Sequence, residues 1–138
     1  MLNRLLGLLI MLTLCLSCGK EENYVPNVAV NFSAPITDPR LNRLSSAGGA
    51  VSLTGHGVAG IIIYRRGDNG YIAFDRCSTV NPEQKNAVVI DDPSVTATDP
   101  VSGAKYLLDD GSPAKAPAKT SLKRYTVTIT SSTLQVTN

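Results

Sequence analysis

Residues 74–111 read FDRCSTVNPEQKNAVVIDDPSVTATDPVSGAKYLLDDG, and their pattern decides the fold. The stretch holds two loops, residues 76–85 and 99–105, separated by two short apolar runs. Residues 87–91 and 95–98 read as the strands of a hairpin. Their Val, Ile and Thr suit a pleated surface, and Asp92-Pro93-Ser94 is a sound turn sequence. Residues 104–108 read as the strand that leaves the second loop, and Asp110-Gly111-Ser112-Pro113 turns the chain again.

Upstream, Ile61-Ile62-Ile63-Tyr64 is apolar on both faces, which marks a central strand within residues 58–65. Arg66-Gly67-Asp68-Asn69-Gly70 connects it as a hairpin to a returning strand at 71–74. Residues 50–53 form a short strand before the turn Thr54-Gly55-His56-Gly57. Leu41 and Leu44 are spaced for one helical turn, with Asp38 as its cap and Pro39 at the first helical position. Residues 23–31 alternate, with Val28, Val30 and Phe32 on the apolar side, and read as a half-buried strand.

Downstream, residues 114–120 are a low-complexity Ala/Pro/Lys coil. Residues 122–130 alternate, with Lys123, Tyr125, Val127 and Ile129 as the mostly apolar face, and Leu134 with Val136 returns as a terminal hairpin. About ten short strands at regular spacing, with no long helix, predict an all-β antiparallel sandwich or barrel.

The central pattern resembles the cluster-binding half of a Rieske-type [2Fe–2S] domain. In that family one loop carries C-x-H, a second carries C-x-x-H, and a strand ending in glycine follows. SPAKAPAKTSLKRYTVTI, residues 112–129, is similar to the family's proline-bearing return segment and closing strand. The resemblance spans most of the chain after about Gly48 and implies a Rieske-like β-sandwich. It also implies four former ligand positions. Cys77 stands for the first cysteine and Thr79 for the first histidine; Asp99 stands for the second cysteine and Ser102 for the second histidine. One ligand of four is kept.

Residues 1–17, MLNRLLGLLIMLTLCLS, have a positive charge near the start and then an apolar run of signal-peptide form. Leu16-Ser17-Cys18-Gly19 resembles a lipobox, with Cys15 where such boxes usually have Leu. The expected organisation is a lipoprotein signal peptide at 1–17, a lipidated Cys18 and linker at 18–24, and the β domain at 25–138. Lys20-Glu21-Glu22 resembles the signal that carries lipoproteins to the outer face in Bacteroidetes-type bacteria. An acyl-anchored (palmitate-bearing) protein of the cell envelope, at the outer membrane and surface-exposed, is the expectation.

The 13 basic and 11 acidic residues lose only Arg4 with that leader, which leaves a net charge of about +1. No basic stripe is interleaved with aromatics, so nucleic acid is not an expected partner. Of three cysteines, Cys15 leaves with the leader and Cys18 is locked in a thioether, so Cys77 is the one free thiol and His56 the one imidazole. A Rieske centre takes two thiolates and two imidazoles, and a structural zinc site takes at least three N/S ligands. Neither set exists within one mature chain.

Asp91, Asp92, Asp99, Asp109 and Asp110 match no calcium-loop spacing and read as turn formers. Gly55-His56-Gly57-Val58-Ala59-Gly60 matches G-x-G-x-x-G but precedes a strand where the phosphate motif opens a helix. Cys77 beside Arg76 reads as a small buried former ligand rather than an activated nucleophile. No catalytic constellation, cofactor or metal is assigned. The expected function is a non-catalytic binding or structural module, with a partner protein at the tip where the Cys77 and Asp99 loops converge. The alternative is a [2Fe–2S] electron-transfer component with an unusual or shared ligand set.

Overall fold

The computed structural model describes residues 25–138; the leader, Cys18 and Lys20-Glu21-Glu22 lie outside the described residues. Ten strands occur among them: β1 (Asn31–Pro35), β2 (Ala50–Leu53), β3 (Ile61–Arg65), β4 (Tyr71–Asp75), β5 (Val89–Ile90), β6 (Thr96–Thr98), β7 (Lys105–Leu107), β8 (Pro113–Lys115), β9 (Arg124–Thr130) and β10 (Thr133–Thr137). They form two antiparallel sheets, one in the order β1-β10-β9-β4-β3-β2 and one in the order β5-β6-β7-β8. The expected all-β, antiparallel sandwich is what the chain adopts.

The isoleucine run explains the layering. Side chains alternate across a strand, so Ile61 and Ile63 face one core while Ile62 faces the other. The first core lies under the 3-10 helix Pro39–Ser45 and includes Phe32, Leu41, Leu44, Leu134 and Val136. The second lies between the sheets and includes Phe74, Val88, Ala97, Tyr106, Leu108 and Leu122. The larger sheet is therefore covered on both faces. Asp38 caps the 3-10 helix as expected: its side chain accepts from the Arg40 N–H at 2.9 Å, and Pro39 starts the turn.

Three expectations are corrected. The N-terminal strand starts only at Asn31, and its buried residues are Phe32 and Ala34, while Val28 is exposed. Its register with β10 ends at Asn31 opposite Thr137. Upstream of that pair the Asn138 side chain takes over, accepting from Val30 N–H and donating to the Val28 carbonyl. The Ala/Pro/Lys coil begins with a strand, β8, paired with β7. As an edge strand it tolerates Pro113, which has no N–H to give. In β9, Tyr125 is buried but Ile129 is 45% exposed, because only Ala73 and Phe74 of β4 pair with this strand and its far end projects with β10.

Asp75, at the end of β4, is a fully buried carboxylate in this frame. It accepts from the backbone N–H of Val58 at 2.7 Å, of Ala59 at 3.2 Å and of Cys77 at 2.7 Å, and from the Tyr125 hydroxyl at 2.7 Å. Four donors offset the desolvation of the charge. They also tie the 57–60 turn, β4, β9 and the start of the first loop to one point. Gly57, at φ 63°, makes this possible, since a side chain there would strike the Asp75 carboxylate and the Tyr125 hydroxyl.

Asp75→Ala leaves three backbone donors and a tyrosine hydroxyl unpaired in the interior and is expected to destabilise by roughly 3 kcal/mol or more. Tyr125→Phe removes one donor only, for about 1–2 kcal/mol. Urea unfolding of both variants checks the order, and an Asp75→Ala protein as stable as wild type would remove Asp75 from this role.

Candidate functional site

The two loops quoted at the start lie side by side above the smaller sheet, and each is closed by its own backbone. In the first, Cys77 bridges Ala87, Ser78 N–H donates to the Asn86 carbonyl at 2.8 Å, and Val88 N–H donates to the Arg76 carbonyl at 2.7 Å. Within it the short 3-10 turn Pro82–Gln84 is flanked by Asn81 and Lys85, both in left-handed conformation. In the second, Asp99 N–H donates to the Ala104 carbonyl and Gly103 N–H to the Asp99 carbonyl, both at 2.8 Å. Gly103 has φ 77°, the region glycine enters without strain.

The side chains add a second set of ties. Asp99 accepts from Val101 N–H at 2.9 Å and from the Ser102 hydroxyl at 2.6 Å, and Ser102 Oγ accepts from Ala104 N–H at 3.2 Å. The Tyr106 hydroxyl rises from β7 to meet Ser78 Oγ at 3.2 Å and Thr79 Oγ1 at 3.0 Å, and accepts from Thr79 N–H at 3.2 Å. Thr79 Oγ1 in turn donates to the Thr120 carbonyl at 2.7 Å. Burial works to raise the Asp99 carboxyl pKa, but hydrogen bonds from Ser102, Ser78 and the Val101 and Ser102 amides outweigh it and hold the group below its ordinary value. The Tyr106 hydroxyl, on the strand that leaves the second loop, ties that strand to the first loop.

Cys77 and Thr79 lie on the first of these loops and Asp99 and Ser102 on the second, and they are closed in. Cys77, Ser78 and Asp99 are fully buried and Thr79 nearly so; Ser102 is partly exposed. The Cys77 Sγ lies 3.6 Å from the carbonyls of Ser78 and Pro82. Burial pushes its pKa up to about 11, Asp75 pushes in the same direction, Lys85 opposes, and Asp99 and Glu83 add smaller upward pushes. The neighbouring Arg76 directs its Nε to the Val88 carbonyl. The outer surface of the tip is formed by Asn81, Glu83, Gln84, Lys85, Pro100 and Val101, with Val101 68% exposed.

Three of the other aspartates, and His56, have structural partners. Asp91 accepts from the Thr96 and Thr98 hydroxyls and from Lys105, Asp110 from Ser112 N–H, and Asp109 pairs with Arg66. His56 packs edge-on against Phe32, ring centroids 5.3 Å apart. Sequence reasoning missed Tyr106 and Asp75. The available signal for Tyr106 was a lone tyrosine in an aliphatic strand, since a buried phenol needs a partner for its hydroxyl.

No protein-family model and no curated protein matches the sequence. Solved structures do resemble the fold. The plasma membrane Rieske protein PetC3 from Synechocystis PCC 6803 superposes with a TM-score of 0.57 at 16% identity, over 80% of this chain and 98% of that one. The quaternary ammonium Rieske monooxygenase CntA superposes with a TM-score of 0.55 at 15% identity, over 80% of this chain and 31% of that longer one. At such identities the likeness establishes a Rieske-type fold and nothing about chemistry.

Gly103→Val forces a β-branched residue to positive φ and is expected to destabilise by about 1–2 kcal/mol. No neighbour would be struck, so backbone strain is the whole effect. Cys77→Ser keeps a small donor facing two carbonyls and should stay within roughly 1 kcal/mol. Thermal melts compare the two; collapse of the Cys77→Ser variant would show that the thiol holds something structural. A second prediction follows from the raised thiol pKa. The folded state keeps its proton while the unfolded chain loses it near pH 9, so stability is full below that pH and falls as pH rises toward 11. The Cys77→Ser variant should lack this part of the alkaline decline, measured as unfolding free energy across that window.

Proposed function

We propose that this chain is a lipid-anchored protein of the cell envelope, held by acylated Cys18, whose Rieske-type domain holds no iron–sulfur cluster and serves as a non-catalytic binding or structural module. The observation that carries this reading is the state of the four former ligand positions. Thr79 is committed to Thr120 and Tyr106, and Ser102 to Asp99 and Ala104. Asp99 is held by its own loop. Cys77 lies below the surface with a thiol that resists ionisation.

One thiol, one carboxylate and two hydroxyls do not fit a cluster that takes two thiolates on one iron and two imidazoles on the other. His56 is committed to packing on Phe32 and offers no substitute. Tyr106 supplies the tie to the first loop that a cluster would otherwise make. A tip of fixed shape with Pro100 and Val101 outermost is a surface for a partner protein.

The second reading, electron transfer with a shared or unusual ligand set, predicts a coloured protein. The full chain purified from its own membrane is expected to contain neither stoichiometric iron nor acid-labile sulfide and to show no visible absorbance band. Both elements with such a band would overturn the module reading. In the same cells Cys18→Ala should abolish palmitate labelling and membrane fractionation. Acyl burial at about 0.8 kcal/mol per CH₂ supplies the hold, and more than one chain is needed. Unchanged labelling would overturn the anchor.

A further inference from the structure

A cleft of about 380 Å³ opens where the edge of β2 faces the edge of β5, and it is lined by Arg40, Asn42, Arg43, Ser52, Arg76 and Ile90, together with other strand residues of the two edges. Three arginines line it, and among the described residues no acidic one does. Arg40 is already neutralised, since its Nη2 lies 2.8 Å from the Asp38 carboxylate. The other two are not. Arg43, in the last turn of the 3-10 helix, is exposed and makes no ion pair or hydrogen bond through its side chain with any described residue. Arg76 makes no ion pair among the described residues, and only its Nε is engaged, by the Val88 carbonyl at 3.1 Å.

Arg76 is also held in place. Its chain lies over Gly60, where a Cβ would come within 3.1 Å of Arg76 Cδ and 3.6 Å of its Nη1. The missing side chain at Gly60 makes the room, and the Val88 carbonyl fixes the direction. A guanidinium anchored at Nε while its Nη atoms remain available is preorganised for an oxyanion.

The strand edges add neutral donors. Arg65 N–H donates to the Gly49 carbonyl, which marks that pair as hydrogen-bonded. By alternation Ser52, opposite Ile62, turns its N–H and C=O away from β3. Asp91 N–H donates to the Thr96 carbonyl, so Ile90 likewise turns its own groups away from β6. The Ser52 hydroxyl and the Asn42 amide complete the donor set on the lining.

We propose that this cleft is a binding site for a phosphate-bearing ligand, with Arg43 and Arg76 as its two charged anchors. Two guanidinium forks match an oxyanion of more than one charge better than a single carboxylate. The cleft volume exceeds what one carboxylate fills. The ligand is either a soluble phosphorylated molecule or an anionic lipid headgroup, and both present the same chemistry.

The test uses the full chain in mild detergent, titrated calorimetrically with inorganic pyrophosphate. In parallel, flotation is measured with phosphatidylcholine vesicles with and without phosphatidylglycerol. Pyrophosphate binding identifies a soluble ligand class; extra flotation with the anionic lipid and no pyrophosphate binding identifies a headgroup. In whichever arm binds, Arg43→Glu should weaken binding by roughly tenfold or more, as the loss of a charge-assisted contact requires. Arg76→Gln should do the same. If Arg76→Gln fails to fold, the exposed Arg43→Glu carries the test alone. Lys119→Glu, exposed in the coil before β9, is the control and should stay within about twofold, because a distant surface charge is screened. An equal loss with Lys119→Glu would assign the effect to net charge and overturn the site. So would the absence of binding in both arms.

Discussion

The constraint on which the rest of this structure depends is the burial of the Asp75 carboxylate. A charge removed from water is tolerated only where donors replace the water. Here the donors come from the 57–60 turn, the start of the first loop and β9. None of these segments can shift without leaving part of the set unpaired. The glycine pattern at 55–60, which has the form of a phosphate-binding motif, cradles an anion after all. The anion is the protein's own Asp75, and the turn leads into a strand, β3.

From that point the geometry passes to the loop tip. Cys77 N–H is one of the four Asp75 donors, so the first loop leaves β4 at a set angle. The second loop leaves β6 and returns through β7, which carries Tyr106 up to the Ser78–Thr79 backbone. A buried phenol contacting two hydroxyls and an amide ties the first loop to β7, the strand that leaves the second. Low local dielectric strengthens such a network when every member is satisfied.

The sandwich also creates surface that has no role in the tip. Because β2 ends one sheet and β5 ends the other, two strand edges face a common cleft, and alternation leaves Ser52 and Ile90 turned away from their ladders. The short helix before β2 and the residue after β4 then place Arg43 and Arg76 on its walls. The tip and the cleft share Arg76 and Cys77 as chain neighbours, yet the two side chains point to different environments, one to the Val88 carbonyl and the cleft, the other to the interior.

The amino-acid sequence by itself determined the element types and most of their order. Period-two alternation, the isoleucine run apolar on both faces, the Asp38-Pro39 cap and the turn dipeptides are local signals, and each acts over a few residues. It also determined the donor count of residues 25–138, because one cysteine and one histidine remain one of each however that part of the chain folds. Only the tertiary structure decided the ends of β1, the pairing of β8 and the exposure of Ile129. These depend on where a partner strand stops, which no local pattern records. The same holds for the site. Asp75 and Tyr106 are polar residues in apolar strands, and in sequence they look like ordinary strand positions. Their meaning comes from donors 16 to 50 residues away, brought within 2.7–3.2 Å by the packing of the sheets. Hydrogen-bond partners across such separations are set by topology, and topology is written in the whole chain at once.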